Sequence, residues 1–579
     1  MKSSIVQLAL LAGFSCASTR RQETASSEFD WDSIPPSTDL EYHPCYGEYQ
    51  CARLRLPLDW HNASDPSTVT IALAKLPAAV PASAPSFRGA VFAQPGGPGV
   101  SGTAYLRGNG RKLRDVVDVP GRRHYELVAF DPRGTGHSVP RLDCFPGLLG
   151  YLRVQERDMA EAVDASRAAL ARAVAAGKAD GKRCEEEHGE FLRHIGTPNV
   201  ARDMVAMLDK IEEERQRHGH RKVTDEEESR LELRADPARG DDITRLQYIG
   251  ISYGTFLGSV FASLFPGRVG RLVLDGVVNP HGYQDGTAPG IDDMDEMVRI
   301  FFQGCFDARC PLRRPDDTSG ASLGRRFWSW AAALQDAPLV VHTGDGNRRY
   351  VSAGTVRQLL ILAMYHPLAD FRPLAAALDA AMRGDAAALS ARVLATAEFT
   401  PLPDAVRANF SSSEPPTMPV DAYMGISCAD ADDVTGRTLD GWLAALDRYR
   451  GVSRVAGPWM LGAQTLCAGW TARPAWSFSG PFTTPTPTRP GRAPMPGKPA
   501  APILFLSNRW DPVTPLRDAR IARDTFSGAG LVVQDTMGHC ATLGAMGPCV
   551  RDVVAEYFDT GAVPEEEMTC EATRGVWDS

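Results

Sequence analysis

A mostly parallel sheet with helices packed on both faces is the fold class this sequence predicts, and three observations predict it. Short apolar runs alternate with stretches of helical period through most of the 579 residues. The loops after those runs carry the Gly, Ser, Asp and His residues that chemistry uses, which is where reactive groups sit in such sheets, at the carboxyl ends of the strands. Gly250-Ile251-Ser252-Tyr253-Gly254 places a serine between two glycines where a strand-like run stops and a helix-like run begins, the pattern of a nucleophile elbow.

Taken in order, the chain opens with Lys2 and an apolar run from Ile5 to Phe14 that ends in the small residues Ser15-Cys16-Ala17, so residues 1–17 read as a secretory signal. Residues 18–280 read as the first part of the sheet domain. Cys51–Asp59 and Thr68–Leu76 alternate like antiparallel edge strands. Gly89–Gln94 runs into Pro95-Gly96-Gly97-Pro98-Gly99, and Tyr125–Phe130 runs into Asp131–Ser138. A helix is expected around 199–211, a buried strand at Leu246–Ile249, a helix at Thr255–Leu264 and a further strand within Val269–Val278. The densely charged stretch 212–242 reads as a mobile surface loop. Residues 281–420, with Leu, Ala and Met at helical spacing through 356–394, read as a large helical lid. Residues 421–500 return from it and include a Pro-rich linker, Trp476–Pro499; residues 501–579 complete the sheet with Ala501–Leu506 and Gly530–Val533.

A net charge of −9 with Arg scattered among acids gives no basic footprint and excludes nucleic acid as an expected partner. No run after the leader reaches about 18 apolar residues, so no membrane span is expected. In a secreted chain the twelve cysteines read as a disulfide set, less Cys16 in the signal. Spacing suggests Cys45–Cys51, Cys305–Cys310, Cys144–Cys184 and Cys428–Cys467. Among Cys540, Cys549 and Cys570 it favours Cys549–Cys570. No pair or His cluster has zinc-ligand spacing, so neither metal nor cofactor is expected. Asn62-Ala63-Ser64 and Asn409-Phe410-Ser411 are glycosylation sequons.

A serine hydroxyl needs a histidine base and a carboxylate that orients it. Asp511 follows one buried strand and His539 another, giving the order Ser, Asp, His expected after an elbow. Asp275, at the end of the strand after the elbow, is the rival acid. The tetrahedral oxyanion needs two backbone donors, expected from Tyr253 and from Gly96-Gly97. The Asp131–Ser138 loop reads as scaffold beside the site.

These motifs, Pro95-Gly96-Gly97-Pro98-Gly99, Asp131-Pro132-Arg133-Gly134-Thr135-Gly136, Gly250–Thr255, Asp511-Pro512-Val513-Thr514-Pro515 and Gly538-His539-Cys540, resemble those of the secreted tripeptidyl aminopeptidases related to prolyl aminopeptidases, in the α/β-hydrolase superfamily. The resemblance runs from about Cys51 to Cys570. It implies an α/β-hydrolase fold and a serine peptidase that removes short peptides from free amino termini, with Ser252, Asp511 and His539 as its triad; peptides are the expected partners and a monomer the expected state. Pro95 departs from the His that prolyl aminopeptidases carry before this glycine run, and the charged stretch 212–242 is also atypical. An aminopeptidase must hold an ammonium group, and the acids of the lid and its return offer candidates: Asp430, Asp432 and Glu296. A carboxylesterase with the same machinery, and a silent binding protein of the same fold, are the competing readings.

Overall fold

The computed structural model describes residues 29–146, 161–219, 243–286, 290–342, 348–389, 420–489, 492–542 and 546–578, with Leu149, Gly150, Arg153 and Arg392 besides. The expected signal segment, the sequon at Asn409 and residues 393–419 of the expected lid lie outside them. Asn62 is described and exposed.

Twelve strands are described: β1 (His43–Cys45), β2 (Tyr49–Pro57), β3 (Thr68–Leu76), β4 (Phe87–Gln94), β5 (His124–Phe130), β6 (Leu246–Ile251), β7 (Val269–Asp275), β8 (Leu339–His342), β9 (Arg348–Val351), β10 (Leu504–Trp510), β11 (Gly530–Met537) and β12 (Met568–Glu571). Ten form one sheet in the order β1-β2-β3-β5-β4-β6-β7-β10-β11-β12. From β5 to β12 all neighbours pair in parallel, while β1, β2 and β3 join antiparallel at one edge. The sequence explains this division. In β2, Leu54 and Leu56 are buried while Arg55 faces out, as an antiparallel strand with one solvated face requires; β6 and β7 are apolar almost throughout, as strands covered on both faces must be.

Helices cover both faces. Gly102–Val117 and Pro548–Thr560 pack on one, with Leu106, Leu113, Val554 and Tyr557 against Val91, Ile249 and Val273. Thr197–Gly219, Tyr253–Leu264 and Leu516–Thr525 pack on the other, around Phe92, Tyr248 and Phe505. The helix Thr197–Gly219 corrects the reading of 212–242 as a loop. Its charged end stays helical because Lys210–Glu213 and Arg215–Glu212 pair at three-residue spacing, and Arg215 also bonds Glu126 of β5. Residues 220–242 lie outside the described set.

The expected lid has its own core. Helices Met294–Asp307, Gly320–Ala333, Ala353–Tyr365 and Pro367–Met382 surround Phe301, Phe327, Leu360 and Phe371. The hairpin β8–β9 within it was not expected, its strands being only four residues each. Met537, and partly buried Trp510, at the ends of β11 and β10, pack into this same cluster, so this core and the carboxyl ends of those strands are continuous. All five expected disulfides are present, and Cys540, which is buried, takes part in none of them.

Candidate active site

Because β4, β6, β10 and β11 run parallel, the loops that follow them emerge on one edge, and these loops carry Gly96, Ser252, Asp511 and His539. Ser252 sits at φ 57° and ψ −125°, a region non-glycine residues rarely occupy. The flanking glycines make that turn possible. A Cβ at Gly250 would lie 2.4 Å from the Tyr248 ring and 2.5 Å from Gly254 O, and one at Gly254 would lie 2.7 Å from Gln94 O. The turn is held by Ser252 N–H donating to Asp275 O at 2.9 Å and by Thr255, whose N–H and Oγ1 both donate to Ser252 O.

Asp511 is fully buried, and its oxygens lie 3.0 and 3.1 Å from His539 Nδ1. The backbone N–H groups of Val513 and Thr514 donate to Oδ1, and that of Cys540 donates to Oδ2 at 2.9 Å. Burial is the largest influence on this carboxyl and works to raise its pKa. The His539 imidazole and the backbone N–H bonds outweigh it and hold Asp511 below the usual carboxylate range. Thr514 Oγ1 lies 3.3 Å from the same Nδ1. His539 thus has the carboxylate on Nδ1, leaving Nε2 for a substrate-side role. No Ser252–His539 hydrogen bond is present among the described residues, and such bonds commonly tighten only with substrate bound.

Asp275, the rival acid, does not reach His539. It accepts from Ala541 N–H at 2.8 Å and from Thr542 N–H at 2.6 Å, and so anchors the loop beyond the histidine. Asp131 likewise serves the scaffold, accepting from Ser101 Oγ, Thr103 and His137 N–H, while Arg133 is buried in a bidentate pair with Asp203 at 2.7 and 2.8 Å.

Gly96, at φ +96°, is pressed onto the elbow: a Cβ there would lie 2.5 Å from Ile251 O, 2.9 Å from Ser252 Cβ and 3.0 Å from Tyr253 N. Gly97, at φ +105°, continues the turn against Val100. The loop's main chain therefore lies beside Ser252 and the amide of Tyr253.

The three acids expected to meet an amino group are not brought together. Glu296 is ion-paired with Arg299 on its own helix. Asp430 and Asp432 do share a cavity, lined also by Phe256, Gln284, Arg473 and Trp476, whose lining includes neither Ser252 nor His539. Asp432 is exposed at its rim. Asp430 accepts Thr197 N–H at 2.8 Å and lies 2.6 Å from Thr197 Oγ1; burial pushes its carboxyl up to about 7 against the lowering effect of those two bonds. Two clusters of three metal-ligand types occur among the described residues, Asp511/His539/Cys540 and Cys144/Cys184/Asp421. In the first, both Asp511 oxygens already receive N–H bonds; in the second, two sulfurs are joined as a disulfide.

Sequence reasoning missed the part the lid plays. Tyr365, at the junction of two lid helices, accepts His539 N–H at 3.0 Å and sets its ring edge-on to the imidazole, 5.0 Å between centroids. Gly538 lies so close to Pro367 that a Cβ would meet it at 3.1 Å. Asp293, at the start of the helix Met294–Asp307, is pushed up to about 6 by burial and then by the charges of Asp511 and Asp292. No sequence signal marked Tyr365, whereas Thr514 lay inside a motif already singled out.

Residues 453–570 match the family model of the TAP-like proteins. The chain is 26% identical over 561 residues to a tripeptidyl aminopeptidase of Streptomyces coelicolor, covering 94% of this chain and 86% of that protein. The chain is a serine hydrolase of the α/β-hydrolase fold, related to the tripeptidyl aminopeptidases. It is likewise 26% identical to serine protease Hip1 of Mycobacterium tuberculosis, over 92% of this chain and 91% of that one. It is 29% identical to a carboxylesterase B of the same organism, over 90% and 86%. No helix among this hydrolase's described residues is long and apolar enough to cross a membrane.

Proposed function

We propose that the protein is a secreted serine exopeptidase that hydrolyses peptide bonds near free amino termini through Ser252, His539 and Asp511. The observation that carries this reading is the Asp511–His539 pair at 3.0 Å on the same sheet edge as the strained Ser252. His539 Nε2 takes the proton of Ser252 Oγ as it attacks the scissile carbonyl, and Asp511 stabilises the imidazolium that forms. The oxyanion is received by the N–H of Tyr253 and one from the Gly96-Gly97 loop, at the close approach described above. His539 then protonates the leaving amine, and water resolves the acyl-enzyme by the same proton path. Five disulfides favour an oxidising compartment and so support the reading of residues 1–17 as a signal.

Of the acids expected to bind the amino group, Asp430 and Glu296 are engaged by Thr197 and Arg299 and the cavity of Asp432 is lined by neither Ser252 nor His539, so we assign that role to none of the three. A carboxylesterase is the second reading, favoured by the 29% identity to a protein of that name. The test is turnover of free-amino mono-, di- and tripeptide amides, their acetylated forms and a short-chain ester by the wild type and Ser252→Ala. Cleavage of free-amino peptides alone, lost in the variant, is the expected result. Ester turnover without peptide cleavage would make the protein an esterase, and full activity in Ser252→Ala would remove the triad assignment.

A further inference from the structure

The two donors proposed for the oxyanion lie on loops of different strands, and one helix of the lid return reaches both. At the first turn of Val420–Asp430, Gly99 packs so closely that a Cβ there would lie 2.9 Å from Tyr423 N and 3.1 Å from the Ala422 carbonyl carbon. Gly99 is two residues beyond Gly97. At the helix's last residue, Asp430 holds Thr197 by both its N–H and its Oγ1, and Thr197 Oγ1 is hydrogen-bonded in turn to the buried hydroxyl of Tyr253. The helix is fixed at both ends. Asp421 accepts Cys144 N–H at 2.7 Å and pairs with Arg153, and Cys428 is joined to Cys467.

Thr197 has a single hydroxyl proton, so with Asp430 ionised the chain is ordered: Tyr253 donates to Thr197, which donates to Asp430. The far end of the Tyr253 side chain is thereby pinned, while its near end begins the helix after the strained nucleophile. An oxyanion donor works only when aimed to within about 2.7–3.1 Å of the developing charge, so a small rotation of that first turn matters.

We infer that the helix Val420–Asp430 braces the oxyanion hole, with Asp430 and Thr197 as positioning residues that act through Tyr253. This rests on the roles given above to Ser252 and Tyr253. The competing account is that Asp430 only caps the helix Thr197–Gly219. Capping uses the Thr197 N–H and needs no link to Tyr253, so the two accounts separate.

The experiment compares Thr197→Val, Thr197→Ser, Tyr253→Phe and Asp430→Asn with the wild type. It uses p-nitrophenyl acetate and free-amino and acetylated peptide amides as substrates, with a peptide aldehyde as inhibitor. Thr197→Val and Tyr253→Phe are expected to lower kcat about 10- to 100-fold, below the 10²–10³ of losing a whole donor. KM should change little, aldehyde affinity should fall by the same factor as kcat, the double variant should be no worse than either single one, and Thr197→Ser should restore kcat. Loss of thermal stability with kcat and aldehyde affinity unchanged would leave only the cap and overturn the brace. A KM increase in Asp430→Asn confined to free-amino peptides would do so too, by assigning that carboxyl to substrate. Full ester turnover in Ser252→Ala would instead mean that the triad assignment had failed and taken the brace's premise with it.

Discussion

Replacing Gly96 by Ala tests the oxyanion loop at its tightest point. The new Cβ would lie 2.5 Å from Ile251 O, 2.9 Å from Ser252 Cβ and 3.0 Å from Tyr253 N, and all three neighbours belong to the nucleophile turn, which is itself strained. Ordinary carbon contacts are about 3.5–4.0 Å, so loop and elbow must separate by roughly 1 Å. A donor bond of about 2.9 Å stretched by that much leaves hydrogen-bonding range. Losing one such donor costs about 2.7–4 kcal/mol of transition-state stabilisation, or 10²–10³ in kcat, with KM little altered. Ala at Gly121 is the control: at a φ of +74° it too is strained by the backbone, but nothing lies within 4 Å of its Cβ. Steady-state kinetics on the ester and peptide substrates, with circular dichroism to verify folding, reads the result. A folded Gly96→Ala with kcat within about threefold of wild type would refute the placing of the oxyanion donors beside this glycine.

The choice between acids gives a second prediction. Asp511→Asn should lower kcat by roughly 10³–10⁴, because the amide cannot stabilise the imidazolium. Asp275→Asn should keep kcat within about tenfold and cost about 1–3 kcal/mol of stability, through the weakened bonds to Ala541 and Thr542, in kinetics and urea melts run together. A third concerns pH. Asp430, pushed up to about 7 by burial, has a folded pKa above its unfolded value, so the folded state binds more protons between about 4 and 7 and stability falls as pH rises through that window, then levels off. At about 1.36 kcal/mol per pH unit the ceiling is about 4 kcal/mol, and Asp430→Asn should flatten the decline in melts from pH 5 to pH 8; parallel curves would refute it. Finally, replacing Cys549 and Cys570 by Ala opens a link of sequence separation 21 between the last helix and β12, and should cost about 3 kcal/mol, read as lost hydrogen-exchange protection in that strand.

The sheet and its functional edge were legible because their signals are local. Gly250, Ser252 and Gly254 are three residues on one turn, and the steric reason for both glycines, the ring of Tyr248 and the carbonyl of Gln94, is a contact that any parallel strand–turn–helix imposes. The disulfides were legible for the same kind of reason, short separations such as 5 and 6 leaving few partners. Charge density misled at 212–219, where pairs at helical spacing keep a helix going on a solvated face. What stayed hidden was tertiary. Tyr365 is 174 residues from His539, and neither its backbone carbonyl nor its ring leaves a mark in composition or period.

That hidden part bears on how the site works. His539 is held by Asp511 through its ring and by Tyr365 through its backbone, and only the first belongs to the sheet. Gly538 meets Pro367, Met537 is buried in the lid core, and Gly99 meets the helix of the lid return. The helical layer and the helix Val420–Asp430 thus touch the loop of His539 and the loop of Gly96–Gly99, the two loops to which the proposed mechanism gives the base and an oxyanion donor. A flap that swung freely away from the sheet would break the Tyr365–His539 bond and leave Met537 without its packing, at about 1.5–3 kcal/mol for one such side chain. Any opening of this helical layer that spares those contacts leaves the junction at Tyr365–Pro367 seated on the histidine loop.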